Sequence, residues 1–270
     1  MKSKLFVAAG LLLLLLGLFV GVAGAQDDAV IQGGLLYDKW WKVVGADEPT
    51  TDHPLWATQS TNTRSGADTW RCKECHGWDY KGKDGAYGSG SHFTGFPGVF
   101  DARTKSVDEI VAALKGGSNS DHDFSTVMDD AALNNLAVFI QNVLDQSQYI
   151  DYATKSPIGG DAANGQVLFA DNCALCHGED GTDLNFHTPD DPEYVGTVAA
   201  GNPQEFLHKA HYGQPGSTPR MIAGLEKGWT TDQIVDVLAF VRTLPTGAAE
   251  EPATLPVSGG VLPDPSLLLL

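Results

Sequence analysis

Apolar positions recur at helical spacing in two separate parts of the chain. Toward the C-terminus, Ile234, Leu238 and Val241 line one face of a segment that opens with the capping box Thr230-Thr231-Asp232-Gln233, and Trp229 just before it can staple onto Ile234. Upstream, Asn202-Pro203-Gln204-Glu205 predicts a helix start, with a capping Asn and Pro at the first helical position, and that helix ends near Gly213. Asp161 predicts the cap of a helix that carries Gly165, Leu168 and Phe169 into Cys173. An earlier stretch repeats the order. Ser106-Val107-Asp108-Glu109 is a capping box for a helix that ends at Gly116-Gly117. Asp129 then caps a helix with Leu133, Leu136, Ile140 and Val143 on one face, and Met128 is placed to staple onto Leu133. The expected fold class is all-α, in two tandem units.

Three stretches break this pattern. Lys2 and Lys4, the apolar run Leu5 to Val22 and the small residues Ala23-Gly24-Ala25 predict an export signal over residues 1–25, cleaved before Gln26. The run is nearly long enough to serve instead as an uncleaved membrane anchor. A polar stretch at about 39–71 holds Trp40, Trp41, Trp56 and Trp70. So many tryptophans predict burial or an interface, and the stretch reads as an insertion. From Thr246 the chain turns to Gly, Ala, Glu and Pro, which predicts a disordered tail over 246–270. Within it, Leu255-Pro256-Val257-Ser258-Gly259-Gly260 resembles a surface-attachment signal, so membrane or cell-surface attachment stays open.

Charge narrows the partners. Against 17 basic residues stand 34 acidic ones, for a formal net charge of −17. Such a surface argues against nucleic acid and suits docking to a basic patch on a partner protein, or simply solubility in an exported compartment.

The chemistry lies in the cysteines. All four fall in two copies of one pattern, Cys72-Lys73-Glu74-Cys75-His76 and Cys173-Ala174-Leu175-Cys176-His177. C-x-x-C-H is the attachment signature of c-type haem. Two thiols three residues apart share one side of a helical turn and can reach both vinyl groups of one haem, and the following His comes under the iron. Zinc fingers keep their Cys pairs closer together than positions 72 and 173. A thioredoxin-like pair would need alternating strands and helices, and a bridge within C-x-x-C is usually catalytic rather than structural. The expected cofactors are therefore two covalent haems c.

With these motifs each half resembles a class I cytochrome c domain, over residues 30–150 and 158–245. The resemblance implies a first and a last helix that cross through a glycine and aromatic residues. Gly165, Phe169 and Phe240 match that feature, and Gly33, Tyr37 and Phe139 match it more loosely. It also implies a sixth iron ligand in the loop before each last helix, which in the second half is Met221, with His187, His208 and His211 as alternatives. His208 and His211 read as surface residues of the preceding helix. In the first half, 46 residues separate His76 from His122, close to the 44 between His177 and Met221, so His122 is favoured over Met128. His53 and His92 are further candidates there, each of which could equally be a solvated loop histidine.

The leading functional expectation is an exported electron carrier between donor and acceptor proteins. Because Met raises a haem's potential relative to His, electrons would run from the first haem to the second. The alternatives are a dihaem enzyme of peroxidase or thiosulfate-oxidising type, or the cytochrome subunit of a larger oxidoreductase complex.

Overall fold

The computed structural model describes residues 26–247. The expected export signal and nearly all of the expected tail lie outside the described residues. About half of the described chain is helical. Helix α1 runs over residues 26–44. It is followed by α2 (Cys72–His76), α3 (Val107–Leu114), α4 (Asp130–Gln141), α5 (Ala162–Asn172), α6 (Ala174–His177), α7 (Val195–Gly201), α8 (Pro203–Tyr212) and α9 (Thr231–Val241). A two-residue antiparallel hairpin, β1 (Ile150–Asp151) with β2 (Ser156–Pro157), lies between α4 and α5. No helix among the described residues is long and apolar enough to cross a membrane.

The caps form as the sequence predicts. Ser106 with Glu109 and Thr230 with Gln233 close reciprocal capping boxes, and the Asp129 and Asp161 carboxylates accept from first-turn amides. Asn202 differs, because its side-chain amide donates to Glu205 at 2.9 Å instead of capping α8.

Each half is organised by one close helix crossing. A Cβ at Gly33 would overlap the Asn135 carbonyl and the Phe139 Cβ, so the backbones of α1 and α4 meet directly there. A Cβ at Gly165 would overlap the Asp236 carbonyl, so α5 meets α9 in the same way. An aromatic pair sits beside each crossing, Tyr37 with Phe139 at 5.4 Å and Phe169 with Phe240 at 5.5 Å. Leu36, Tyr37, Trp40 and Trp41 of α1 join Ile110, Leu133, Leu136 and Ile140 in the first core. Phe169, Leu207, Ile234, Leu238 and Val241 form the second.

Several expectations need correction. Trp40 and Trp41 belong to α1, which continues to residue 44, so the insertion begins after it and not at 39. Helical packing wins there because both indoles are buried in the first core. Ile150, expected to end the first unit, packs into the second core. His208 and His211, expected at the surface, are buried, because α8 has apolar neighbours on both sides. His53 is buried as well, capping the short turn Pro54–Thr58.

Helix α8 joins the halves. Its Tyr212 packs on Gly34 of α1 and 5.1 Å from the Phe139 ring. Its Lys209 reaches the fully buried Asp38 of α1 at 2.9 Å, and the same carboxylate holds Arg71. Burial pushes the Asp38 carboxyl up, but Lys209 and Arg71 together pull it well below the usual carboxylate range. An Asp38→Ala variant leaves both cations without their buried partner and should lose roughly 3–5 kcal/mol, read as the shift in urea midpoint at pH 7. Since the folded value is depressed, this contribution is fully present above the unfolded carboxyl pKa of about 4 and fades as the pH falls below it. The gap between wild type and variant should therefore narrow toward pH 2.

Candidate haem sites

The two C-x-x-C-H segments take the same local shape. Cys72, Cys75 and His76 share α2, while Cys173 precedes α6, which carries Cys176 and His177. All four thiols are free. Each His is followed by a glycine in the left-handed region, Gly77 at φ 77° and Gly178 at φ 82°, where a side chain would be strained. The turn is then tied back six residues on, by Gly82 N–H to the His76 carbonyl at 2.8 Å and Asp183 N–H to the His177 carbonyl at 2.9 Å. Sequence reasoning passed over both glycines, although a Gly directly after each motif was the visible signal.

Around the first motif lies a cavity of about 350 Å³, within the range of small-molecule and cofactor sites. Cys72, Cys75, His76, His122, Trp70 and Phe124 are among its walls. Loop 90–98 supplies the Pro97 carbonyl, which accepts from His76 Nδ1 at 2.6 Å and so leaves Nε2 with a free lone pair. His122 is held in the same sense by the Ala113 carbonyl at 3.3 Å. The two rings stand 6.2 Å apart, which suits a metal held between two imidazoles by bonds of about 2 Å each. Burial lowers the His76 pKa to about 4 and lowers that of His122 as well, which favours the neutral, ligating form. Burial likewise pushes the Cys72 thiol up to about 12.

The other candidates of this half fall differently. Met128 is buried in the first core and is not among the cavity-lining residues. His53 lines the cavity, but its Nδ1 accepts the Leu55 N–H, so its Nε2 carries the proton and offers no lone pair. His92 stacks on Tyr87 at 4.4 Å and is not a cavity-lining residue.

The insertion is fastened to the motif itself. Glu74, between the two cysteines, is fully buried and held by Arg64 at 3.0 Å, Asn62 at 3.3 Å and Lys73 at 2.5 Å. Burial raises its carboxyl, but the His92 contact and then Lys73 and Arg64 outweigh that and hold it below the usual range. The insertion also covers the cavity, with His53, Leu55, Trp70 and Arg71 on its wall.

The second site is more open. Cys176 is exposed, and Leu175 beside it is 96% exposed. His177 Nδ1 is buried with no hydrogen-bond partner among the described residues, in contrast to His76. Met221 lies half-buried in the loop before α9, with its N–H on Ser217 Oγ at 2.9 Å. A cavity of about 170 Å³ between α5, α6 and α9 is lined by Phe169, Ala174 and Phe240 but by neither His177 nor Met221. The structure thus brings His76 and His122 together around one cavity and does not do so for His177 and Met221. His187 is exposed and turned to Asp191, and both nitrogens of His208 and of His211 are engaged by other groups.

A C-x-x-C-H motif on a short helix is the attachment signature of c-type haem. Residues 162–245 match the family model described as Cytochrome c, and they form one such domain. The chain is also similar to the Cbb3-type cytochrome c oxidase subunit CcoP of Cereibacter sphaeroides. The two are 31% identical over 135 residues, which is 44% of this chain and 41% of that protein. The chain thus spans less than half the length of this curated relative. No solved structure matches it.

Replacing Glu74 by Ala removes the contact that ties Asn62 and Arg64 to α2. Limited proteolysis should then cut within residues 45–65 faster than in wild type, while cutting elsewhere is unchanged.

Proposed function

We propose that the chain is an exported c-type cytochrome that holds two covalent haems and carries single electrons between redox partners. The first cavity carries this reading, since two thiols and two imidazoles with free Nε2 lone pairs converge on one largely apolar space. When bound, haem supplies a one-electron iron couple. The protein's part is to bind, orient and shield it. Cys72 and Cys75 would hold it covalently, the Pro97 carbonyl fixes the tautomer and direction of His76 as one iron ligand, and His122 would be the other. Trp70 and Phe124 shield the pocket. In the second half, Cys173, Cys176 and His177 would take the same roles, with Met221 in the loop before α9 as the candidate second ligand. A centre held by two histidines would sit at lower potential than one held by His and Met, which would direct electrons from the first half to the second. The two halves are read as tandem cytochrome c domains because the glycine crossing, the aromatic pair and the post-histidine turn recur in both.

A second reading is favoured by the likeness to CcoP, namely that the chain is the cytochrome subunit of a membrane oxidase. Co-purification with such an enzyme from solubilised membranes would support it. On either reading the acidic surface of net charge −17 suits partners with basic docking patches.

Mature protein from a host able to make cytochromes c should weigh two porphyrins more than its polypeptide, and a colourless product at the bare mass would sink the proposal. The reduced protein should be inert to carbon monoxide. His122→Ala should make one haem high-spin and reactive to carbon monoxide, while Met128→Leu should leave the spectrum unchanged. The reverse result would reassign the ligand.

A further inference from the structure

His208 is fully buried and takes no part in either candidate haem site. It lies on α8 of the second half, yet five rings surround it within 6.0 Å: Trp78 at 4.9 Å, Tyr212 at 5.0 Å, Tyr37 at 5.7 Å, Phe139 at 5.9 Å and Tyr80 at 6.0 Å. All but Tyr212 belong to the first half. A carbonyl can only accept, so His208 Nε2–H donates to Gly34 O at 3.0 Å and the lone pair on Nδ1 accepts from the Tyr80 hydroxyl at 2.9 Å. Trp78 and Tyr80 are the second and fourth residues after His76, and Tyr37 donates to the carbonyl of Gly77, the residue directly after His76, at 2.7 Å. The imidazole is therefore in direct contact with the loop that leaves the first attachment motif.

On the other side of the same helix, Phe206, Leu207 and Ala210 pack into the second core, against which Cys173 and Ala174 also pack. One helix thus separates the loop after His76 from the segment that opens the second motif, and His208 fills its first-half face. Electronic coupling through a protein falls steeply with every unfilled gap, and packed rings joined by hydrogen bonds leave none.

We propose that His208 is the bridge by which electrons pass between the two halves, from the loop after His76 through the Trp78 ring and the Tyr80 hydroxyl to His208, and across α8 to the second core against which Cys173 packs. The inference rests on the two-haem reading. One electron leaves the reduced first centre, which is oxidised, and reduces the second. No bond forms or breaks and no proton moves, because both ring nitrogens are already committed. The ring is a medium for the electron and is not itself oxidised.

The test uses the full-length holoprotein in wild-type, His208→Leu and Tyr80→Phe forms. Pulse radiolysis reduces a fraction of the haem and follows internal re-equilibration. Spectroelectrochemical titration gives both midpoint potentials, and calorimetry gives the unfolding profile. His208→Leu should slow re-equilibration by an order of magnitude or more with both potentials unchanged and unfolding still a single transition, and Tyr80→Phe should slow it by a smaller factor. Re-equilibration at the wild-type rate in His208→Leu would overturn the proposal. So would a slowing that comes with a shifted potential or a split unfolding transition, which would mark His208 as structural only. If His208→Leu does not fold, Tyr80→Phe decides, with slower exchange in favour and a wild-type rate against. A mass showing one porphyrin would remove the two-haem reading and this bridge together, whereas two porphyrins with unaltered exchange would remove the bridge alone.

Discussion

A carboxylate shut away from water must be met by positive charge, and Asp38 is such a group. Its partners come from distant parts of the sequence: Arg71 stands directly before the first attachment motif, and Lys209 lies on the helix that joins the halves. Around the same point the Trp78 ring is approached by Arg71, Lys73 and Lys209 at 5.2 to 5.8 Å. Three elements that no hydrophobic pattern would register against one another are thereby fixed in direction as well as in distance. Breaking such a junction costs far more than forming it gains, so it enforces one arrangement more than it adds stability.

The two attachment segments share a backbone and differ in their surroundings. His76 has its tautomer set by a carbonyl, an opposing imidazole at 6.2 Å and a tryptophan-bearing cover. His177 has an unpartnered Nδ1 and neighbours that stand open to solvent. Groups that orient a histidine also tune whatever it binds, through its basicity and through access of water. Equal motifs in unequal environments are how one chain can hold two centres of different character.

Much of the architecture was legible before any coordinates. Caps at Ser106, Asp129, Asp161 and Thr230 are local chemistry, and each closes as its sequence predicts. The glycine crossings at Gly33 and Gly165 were expected from the resemblance to cytochrome c domains, and a Cβ at either would overlap the partner helix. The burial of His53, His208 and His211 was not legible. Helical spacing tells which residues share a face, but not whether that face meets solvent or a distant part of the chain, and α8 is covered on both sides. The same limit hid Glu74, since nothing in a five-residue motif announces that Asn62 and Arg64 will fold back onto it. Spacing alone ranked His122 above Met128, and the reason for the difference in position, a core methionine against a cavity-lining imidazole, is tertiary.

The clasp on Glu74 also sets a chronology. Residues 45–71 bolt onto the short helix that bears both Cys72 and Cys75, and Cys72 ends up half-buried on the cavity wall. On the two-haem reading, an enzyme that sews a porphyrin to those sulfurs would have to reach them past this cover. Among the described residues no such cover lies over the second motif, and Cys176 stays in reach on the finished surface. Attachment in the two halves would then follow different clocks, the first tied to the closing of the cover and the second not.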